Sequence, residues 1–425
     1  AMIEQALAGF PLKNVKVIGV TGTDGKTTTS TLITQMLRHS GKKVAMMTTI
    51  SLDLGDGRGV QANASRLSTM GSLQLISNLK KVKSAKVDWL VLEVTSHALA
   101  QNRVWGIPFS VAVMTNINHE HLDYHGTFEH YRDSKKRLFT LAGNNKKGLQ
   151  TGVLNAVDPS ADLFAAEVKN PVRYSMQSGD LVAKNVKLSS SGSEYIVEIN
   201  DENYEIVCNL PGSFNVMNSL AAVGVGRAVG LSKQQIEQGI ASLKSVEGRM
   251  ARVDEGQDFE VIIDYAHTPD SFKKIFEEIK PTVKGKLITV FGSAGRRDEA
   301  KRAEQGKIAG KYADVVIATE EDDRDIDGQI ILEQIASGAT TSGKTINKDL
   351  FLIHEREEAV AAAIKQAKKG DVVLLLGKGH EKSILTNKPG IIHTEADNFD
   401  EATMTISRPY GEEVTAREAL KKLKL

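Results

Sequence analysis

The chain has 425 residues, too many for one hydrophobic core and suited to two or three domains. Lysine and arginine total 54 against 53 aspartates and glutamates, a balance that argues against a nucleic-acid or membrane-surface partner and leaves a small charged substrate compatible. The one cysteine, Cys208, can form neither an internal disulfide nor a cysteine metal cluster, which fits a reducing cytoplasm and a buried strand position. No apolar run approaches the length of a membrane span, no secretory signal is visible, and the opening Ala1-Met2 reads as an expression scar. The expectation is a soluble, cytoplasmic chain acting as a monomer.

In chain order, the β-branched run Val15 to Val20 predicts a buried strand, followed by a glycine-rich turn and a helix through Thr29 to His39 with apolar Leu32, Ile33, Met36 and Leu37. Val44 to Met47, Trp89 to Val94 and Val111 to Met114 are apolar without alternation, as expected of parallel strands covered on both faces. From about Val153 to Cys208 the pattern turns to short alternating strands, which predicts an antiparallel extension. A helix over Asn215 to Val229 follows, and the boundary falls at Ser245 to Arg249. Beyond it, strands at Val261 to Ile263, Leu287 to Phe291, Val315 to Ala318, Leu350 to Ile353 and Val372 to Leu376 alternate with amphipathic helices. The predicted fold class is α/β. Residues 1–244 form a phosphate-loop domain with a mostly parallel sheet, and residues 245–425 form a Rossmann-like domain.

The turn Thr21-Gly22-Thr23-Asp24-Gly25-Lys26-Thr27-Thr28, between strand and helix, has the composition of a phosphate cradle. Backbone N–H groups would face phosphate oxygens, Lys26 the outer phosphates, and Thr27 a metal ion. The loop is a variant of the general pattern, because Val20 holds the first glycine position and Gly19 lies one residue early. Glu93 closes a strand at the sheet's carboxyl end, where α/β folds bind ligands, and is the candidate magnesium carboxylate. His119, His121 and His125 invite a zinc reading, but neither a cysteine nor the helical His-Glu-x-x-His spacing accompanies them.

Taken together, the segments resemble the Mur ligases, most of all the MurE type that adds the third amino acid to a UDP-N-acetylmuramoyl peptide. The resemblance is carried by the loop, Glu93-Val-Thr-Ser-His97, Asn118-His-Glu-His-Leu-Asp-Tyr-His-Gly126, Tyr131-Arg-Asp-Ser-Lys135, Gly212-Ser-Phe-Asn-Val-Met-Asn218, Glu247-Gly-Arg249, Asp264-Tyr-Ala-His-Thr-Pro-Asp270 and Gly377-Lys-Gly-His-Glu381. It implies an ATP- and magnesium-dependent acid-amino-acid ligase of cell-wall peptidoglycan synthesis. Thr23, Asp24, Gly25, Lys26, Thr27, Thr28 and Asn116 would hold ATP phosphates, Asn215 and Asn218 adenine, Arg249 the nucleotide, and Asp264 the ribose side. Metal ligands would be Thr27, Glu93, His121 and a carbamylated Lys135, since a plain ammonium repels a cation. Ser68, Thr69, Ser96 and Arg103 fall where the family touches the muramoyl peptide, and Glu381 where it grips the incoming amino acid. On the residues alone, Lys135 also reads as a solvated helix lysine, and Asn218 as a helix cap.

The implied reaction passes through an acyl phosphate displaced by an amine, with His267 a candidate base that serves equally as a substrate ligand. Two departures stand out. The family carries roughly a hundred residues, the size of a small uridine-gripping domain, ahead of this loop. Here the loop begins at Thr21, which leaves a shortened chain, a different uridine grip, or a substrate without the nucleotide. Where the diaminopimelate-adding type has Asp-Asn-Pro-Arg, this sequence reads Thr319-Glu-Glu-Asp-Asp-Arg324. Arg324 suits a second carboxylate and so meso-diaminopimelate, whereas the acids, Asp322 among them, suit the terminal ammonium of L-lysine. The same stretch also reads as a solvated acidic loop with a helix starting at Asp327. A folylpolyglutamate-synthase-like ligase and a catalytically silent nucleotide-binding module are the alternatives.

Overall fold

The computed structural model describes residues 12, 14–63, 70–118, 120–189, 191–387 and 404–423. The chain forms two compact units, Ala1–Lys244 and Ser245–Leu425.

The first unit is built on one sheet with strands β1 Lys16–Thr21, β2 Val44–Met47, β3 Ser51–Asp53, β4 Gln61–Ala62, β5 Trp89–Glu93, β6 Phe109–Met114, β7 Thr151–Asn155, β8 Asn170–Ser175, β9 Leu181–Ser189, β10 Gly192–Ile199 and β11 Glu202–Cys208. Its order is β11-β10-β9-β8-β7-β6-β1-β5-β2-β3-β4. From β2 across to β9 the neighbours are parallel. Antiparallel pairing is confined to the β2-β3-β4 edge and to the β9-β10-β11 meander. The antiparallel extension therefore begins later than the sequence suggests. β7 is buried at every residue and packed by helices on its flanks, and true alternation appears only in β10 and β11.

Among the described residues, the helices of this unit are α1 Lys26–His39, α2 Ser72–Ser84, α3 Ser96–Ala100, α4 Leu122–His125, α5 Phe128–Asn144, α6 Ala161–Ala165, α7 Ser213–Ala228 and α8 Lys233–Ala241. On α1, Leu32, Ile33, Met36 and Leu37 are fully buried, each contributing about 1.5–3 kcal/mol relative to exposure. On α5, Tyr131, Lys135, Leu138 and Ala142 recur at helical spacing on the buried stripe, with Lys135 only 2% exposed. The solvated reading of Lys135 is thereby overturned. Gly19 is a packing residue, since a Cβ there would meet Leu138 Cδ1 at 2.7 Å. Cys208 is buried at the end of β11.

The second unit has strands β12 Ala251–Arg252, β13 Glu260–Asp264, β14 Leu287–Phe291, β15 Val315–Ala318, β16 Leu350–Leu352 and β17 Val372–Leu376 in the order β12-β13-β17-β14-β15-β16, with a hairpin β18 Ser383–Asn387 and β19 Thr405–Pro409. All pairs from β13 to β16 are parallel. Helices α9 Pro269–Ile279, α10 Ala300–Tyr312, α11 Gly328–Thr341, α12 Arg356–Gln366 and α13 Glu412–Leu423 complete it. α9 shows how local sequence sets an element. Thr268 and Ser271 form a reciprocal capping box, Pro269 occupies the first turn, and Phe272, Ile275, Phe276 and Ile279 make the buried stripe. Among the described residues, no helix is long and apolar enough to cross a membrane.

Candidate active site

In the first unit the loops after β1, β2, β5 and β6 lie at the carboxyl ends of parallel strands, where α/β sheets bind ligands, and carry the candidates. The loop after β1 enters α1 through Gly25 at φ 79°, a left-handed conformation that costs residues with a Cβ about 1–2 kcal/mol. A Cβ on Gly25 would lie 2.4 Å from Asn218 Oδ1, and one on Gly22 would lie 1.9 Å from Thr115 Oγ1. The turn is thus pressed against α7 and against the end of β6.

Further hydrogen bonds fix it. Asn116 accepts from the Asp24 N–H at 2.9 Å and donates to the Asp24 carbonyl at 3.1 Å. The Thr23 N–H donates to the Asn116 carbonyl at 2.7 Å, and Lys26 Nζ folds back onto the Thr23 carbonyl at 2.7 Å. Thr28 is buried.

Thr27 Oγ1 donates to Glu93 Oε2 at 2.9 Å, and Thr49 donates to the same carboxylate from Oγ1 at 2.7 Å and from its N–H at 3.1 Å. Glu93 is 1% exposed, so burial and three donors hold its oxygens in one orientation. Thr49 is absent from the sequence reading. Its signal was positional, since it follows β2, the parallel neighbour of the strand that ends in Glu93.

Lys135 Nζ donates to the Gly22 carbonyl at 2.5 Å and lies 4.5 Å over the Tyr131 ring. Burial, with the Lys26 charge second, pushes its ammonium well below the ordinary lysine range. A buried amine with a depressed pKa is the nucleophilic form that carbon dioxide carbamylates. The donor set of Thr27, Glu93 and His121 has the hard oxygen character and single imidazole that suit a divalent cation, and a carbamate on Lys135 would add an anionic oxygen. His121, half in solvent, sits at φ 55°, 3.8 Å from Glu120 and edge-on to His97 at 4.8 Å between ring centroids. His119 lies outside the described residues.

Ser96 is buried with an Oγ that has no hydrogen-bond partner among the described residues, and Arg103 donates to Gln101 at 2.7 Å. Ser68 and Thr69 lie outside the described residues. Asn218 lies inside α7, whose N-cap is Gly212, which removes the capping reading. Its amide accepts from Thr29 at 3.2 Å and donates to Asn215 at 2.9 Å, while Asn215 donates to the Pro211 carbonyl at 2.7 Å.

In the second unit the loops after β13, β14, β15 and β17 gather the other candidates. Asp264 is buried, accepting from the Met250 and Ala266 N–H groups at 2.8 Å each. The Arg249 guanidinium lies 4.6 Å over the Tyr265 ring. His267 Nδ1 pairs with the Tyr265 carbonyl at 2.9 Å, which leaves Nε2 as its other nitrogen. Lys378, fully buried, donates to Asp322 at 3.0 Å and to Glu381 at 2.5 Å. Burial alone would lower its pKa, but the carboxylates outweigh it and hold Lys378 above the ordinary range.

Arg324 departs from expectation. It is 6% exposed at φ 58°, and its Nη1 donates to the Gly295 carbonyl at 2.8 Å and the Asp322 carbonyl at 3.3 Å, so the side chain is buried where the sequence suggests an accessible one. Glu321, quoted in the motif but not singled out, is buried with Oε2 lacking a hydrogen-bond partner among the described residues. Burial pushes its carboxyl up, opposed by Lys301, His267 and Lys378. The solvated-loop reading of this segment fails for the same reason, since Glu320, Glu321 and Asp323 are all buried. Its last part holds, because Asp327 caps α11 by accepting from the Gln329 N–H at 2.9 Å.

Comparison with known proteins gives a coherent picture. The Mur ligase middle domain matches residues 20–226, and the Mur ligase glutamate ligase domain matches residues 248–379. A UDP-N-acetylmuramyl-tripeptide synthetase of Roseiflexus sp. (strain RS-1) is 40% identical over 397 residues, covering 91% of this chain and 78% of the relative. The UDP-N-acetylmuramoyl-L-alanyl-D-glutamate–2,6-diaminopimelate ligase of Geobacillus kaustophilus (strain HTA426) is 38% identical over 386 residues, covering 90% and 77%. A solved diaminopimelate ligase of the same description superposes with a TM-score of 0.67 at 27% identity, covering 99% of this chain and 82% of that one.

Proposed function

Because this chain belongs to the Mur ligase family, we propose that it is the ATP-dependent ligase that adds the third, diamino residue to a UDP-N-acetylmuramoyl dipeptide in peptidoglycan synthesis. The observation that carries the reading is the convergence of Thr27, Glu93 and the buried Lys135 on one phosphate loop, in a chain 40% identical to a tripeptide synthetase. A silent module has no use for that set, and the identity favours a muramoyl peptide over a folate. The reaction draws on ATP in the cytoplasm.

We assign residues 1–244 to ATP and residues 245–425 to the amino acid. The terminal carboxylate of the dipeptide attacks the γ-phosphorus of ATP, forming a C–O–P linkage and releasing ADP. The amine of the incoming residue then adds to that acyl carbon, and inorganic phosphate departs as the amide forms. Lys26 and the loop N–H groups neutralise the meeting anions, and Thr49 keeps Glu93 aimed. Magnesium, held by Thr27, Glu93, His121 and carbamylated Lys135, would supply further charge neutralisation. Asn215 and Asn218 serve the nucleotide by bracing Gly25. His267, whose Nδ1 is engaged by the Tyr265 carbonyl, is the candidate to take the ammonium proton through Nε2.

For the amino acid, the reading is a diamino acid, L-lysine or meso-diaminopimelate. Glu321 keeps a buried carboxylate oxygen for the distal ammonium that both carry, and Arg324, whose Nη1 meets backbone carbonyls, is the cation that would answer the second carboxylate of meso-diaminopimelate. The test is ADP release with UDP-muramoyl dipeptide and a panel of amino acids, read by product mass. Release requiring the dipeptide and one diamino acid supports the proposal, and the product mass tells lysine from diaminopimelate. Release with folate and glutamate, or none with any acceptor, defeats it.

A further inference from the structure

We propose that Tyr131 is a positioning residue that ties the phosphate loop to the segment carrying His121, holding the loop in its nucleotide-binding shape. The proposal rests on the reading above only in taking Thr21 to Thr28 as a phosphate site.

Tyr131 is fully buried on the inward stripe of α5, and three partners use it at once. Its hydroxyl meets Thr23 Oγ1 at 2.9 Å and donates to Glu120 Oε2 at 3.2 Å. Its ring face carries Lys135 Nζ at 4.5 Å. Thr23 is also the residue whose carbonyl holds Lys26 Nζ at 2.7 Å, and its Oγ1 accepts from the Asn118 N–H at 2.9 Å. Lys135 in turn donates to the Gly22 carbonyl at 2.5 Å. One phenol therefore restrains two successive loop residues, Gly22 through Lys135 and Thr23 directly. Glu120 continues the path to His121, 3.8 Å away. A phenylalanine would keep the volume and the ring face while losing both hydroxyl contacts. A Thr23→Val change would remove the same link from its other end without altering size, together with the Asn118 contact of that hydroxyl.

The experiment is calorimetric titration of ATP with magnesium into the wild-type chain, Tyr131→Phe, Thr23→Val and the double variant, alongside thermal melting of each. We expect each single variant to weaken ATP binding about 5- to 20-fold, with melting close to wild type for Tyr131→Phe. The double variant should be weaker than either single variant but by less than the product of their effects, because the Tyr131–Thr23 link is shared while the Glu120 and Asn118 contacts are not. Tyr131→Phe binding ATP as tightly as wild type, or effects that multiply in the double variant, overturns the proposal. Thr23→Ser, which keeps the hydroxyl, should bind within about twofold of wild type, and loss there as large as in Thr23→Val also overturns it. A wild-type chain that fails to bind ATP defeats the phosphate-site reading itself, a result distinguishable from either of these.

Discussion

Replacing Gly25 with alanine tests whether the phosphate loop is shaped by α7. Two separate costs arise. The left-handed φ of 79° penalises any Cβ by about 1–2 kcal/mol. The new Cβ would also stand 2.4 Å from Asn218 Oδ1, so Asn218 must move and release its hydrogen bonds with Thr29 and Asn215. Those buried bonds contribute about 1 kcal/mol each, giving a total of roughly 3–4 kcal/mol. Both tryptophans of the chain, Trp89 and Trp105, lie in the first unit, so urea unfolding followed by tryptophan fluorescence reports on that unit. In an Asn218→Ala background the obstructing oxygen is gone. There the same Gly25→Ala change should cost only the backbone share, about 1–2 kcal/mol, a coupling of about 2 kcal/mol between the sites. An equal cost in both backgrounds would refute the idea that Asn218 braces the loop.

Lys26→Ala should reduce dipeptide-dependent ADP release at least ~100-fold, and near-normal turnover would sink the assignment of the loop. Thr49→Val should raise the magnesium concentration needed for half-maximal activity, because it removes one of the donors that aim Glu93; an unchanged requirement would make Thr49 merely structural. Glu321→Gln should raise the KM for the diamino acid about 10-fold or more, with the KM for ATP unmoved, and the opposite pattern would place Glu321 outside the amino-acid pocket. His354, hydrogen-bonded to Asp323 at 2.7 Å, is raised from 6.5 to about 9. The folded state therefore holds a proton that the unfolded chain has released, so this contribution is fully present below pH 6.5 and is lost as pH rises through about 9. The stability gap between wild type and His354→Gln should close over that window in urea titrations, and a gap independent of pH would contradict the pairing.

What the sequence made legible, and what it did not, follows from the range of the interactions involved. The parallel strands and the strand-loop-helix unit rest on local apolar runs and glycine placement, so Val44–Met47, Leu287–Phe291 and Val372–Leu376 could be read directly. The Asp327 cap was legible for the same reason. Thr49 is invisible in its own neighbourhood, and its meaning arises only when β2 pairs with β5 and places it beside Glu93. Arg324 shows the stronger limit. Its residue type suited an accessible substrate carboxylate, but the side chain is buried, with Nη1 on the Gly295 carbonyl from a distant loop and on the Asp322 carbonyl two residues back. Residue type tells which charges a pocket can offer, whereas tertiary contacts decide which of them are already spent. In this segment Arg324 Nη1 is engaged by backbone carbonyls, whereas Glu321 keeps one buried carboxylate oxygen without a hydrogen-bond partner among the described residues, with burial pushing its carboxyl up against the opposing pull of Lys301, His267 and Lys378. Under the proposed function lysine and meso-diaminopimelate both bring the distal ammonium that Glu321 would meet, so what separates them is the second carboxylate and the charge of Arg324 that would answer it.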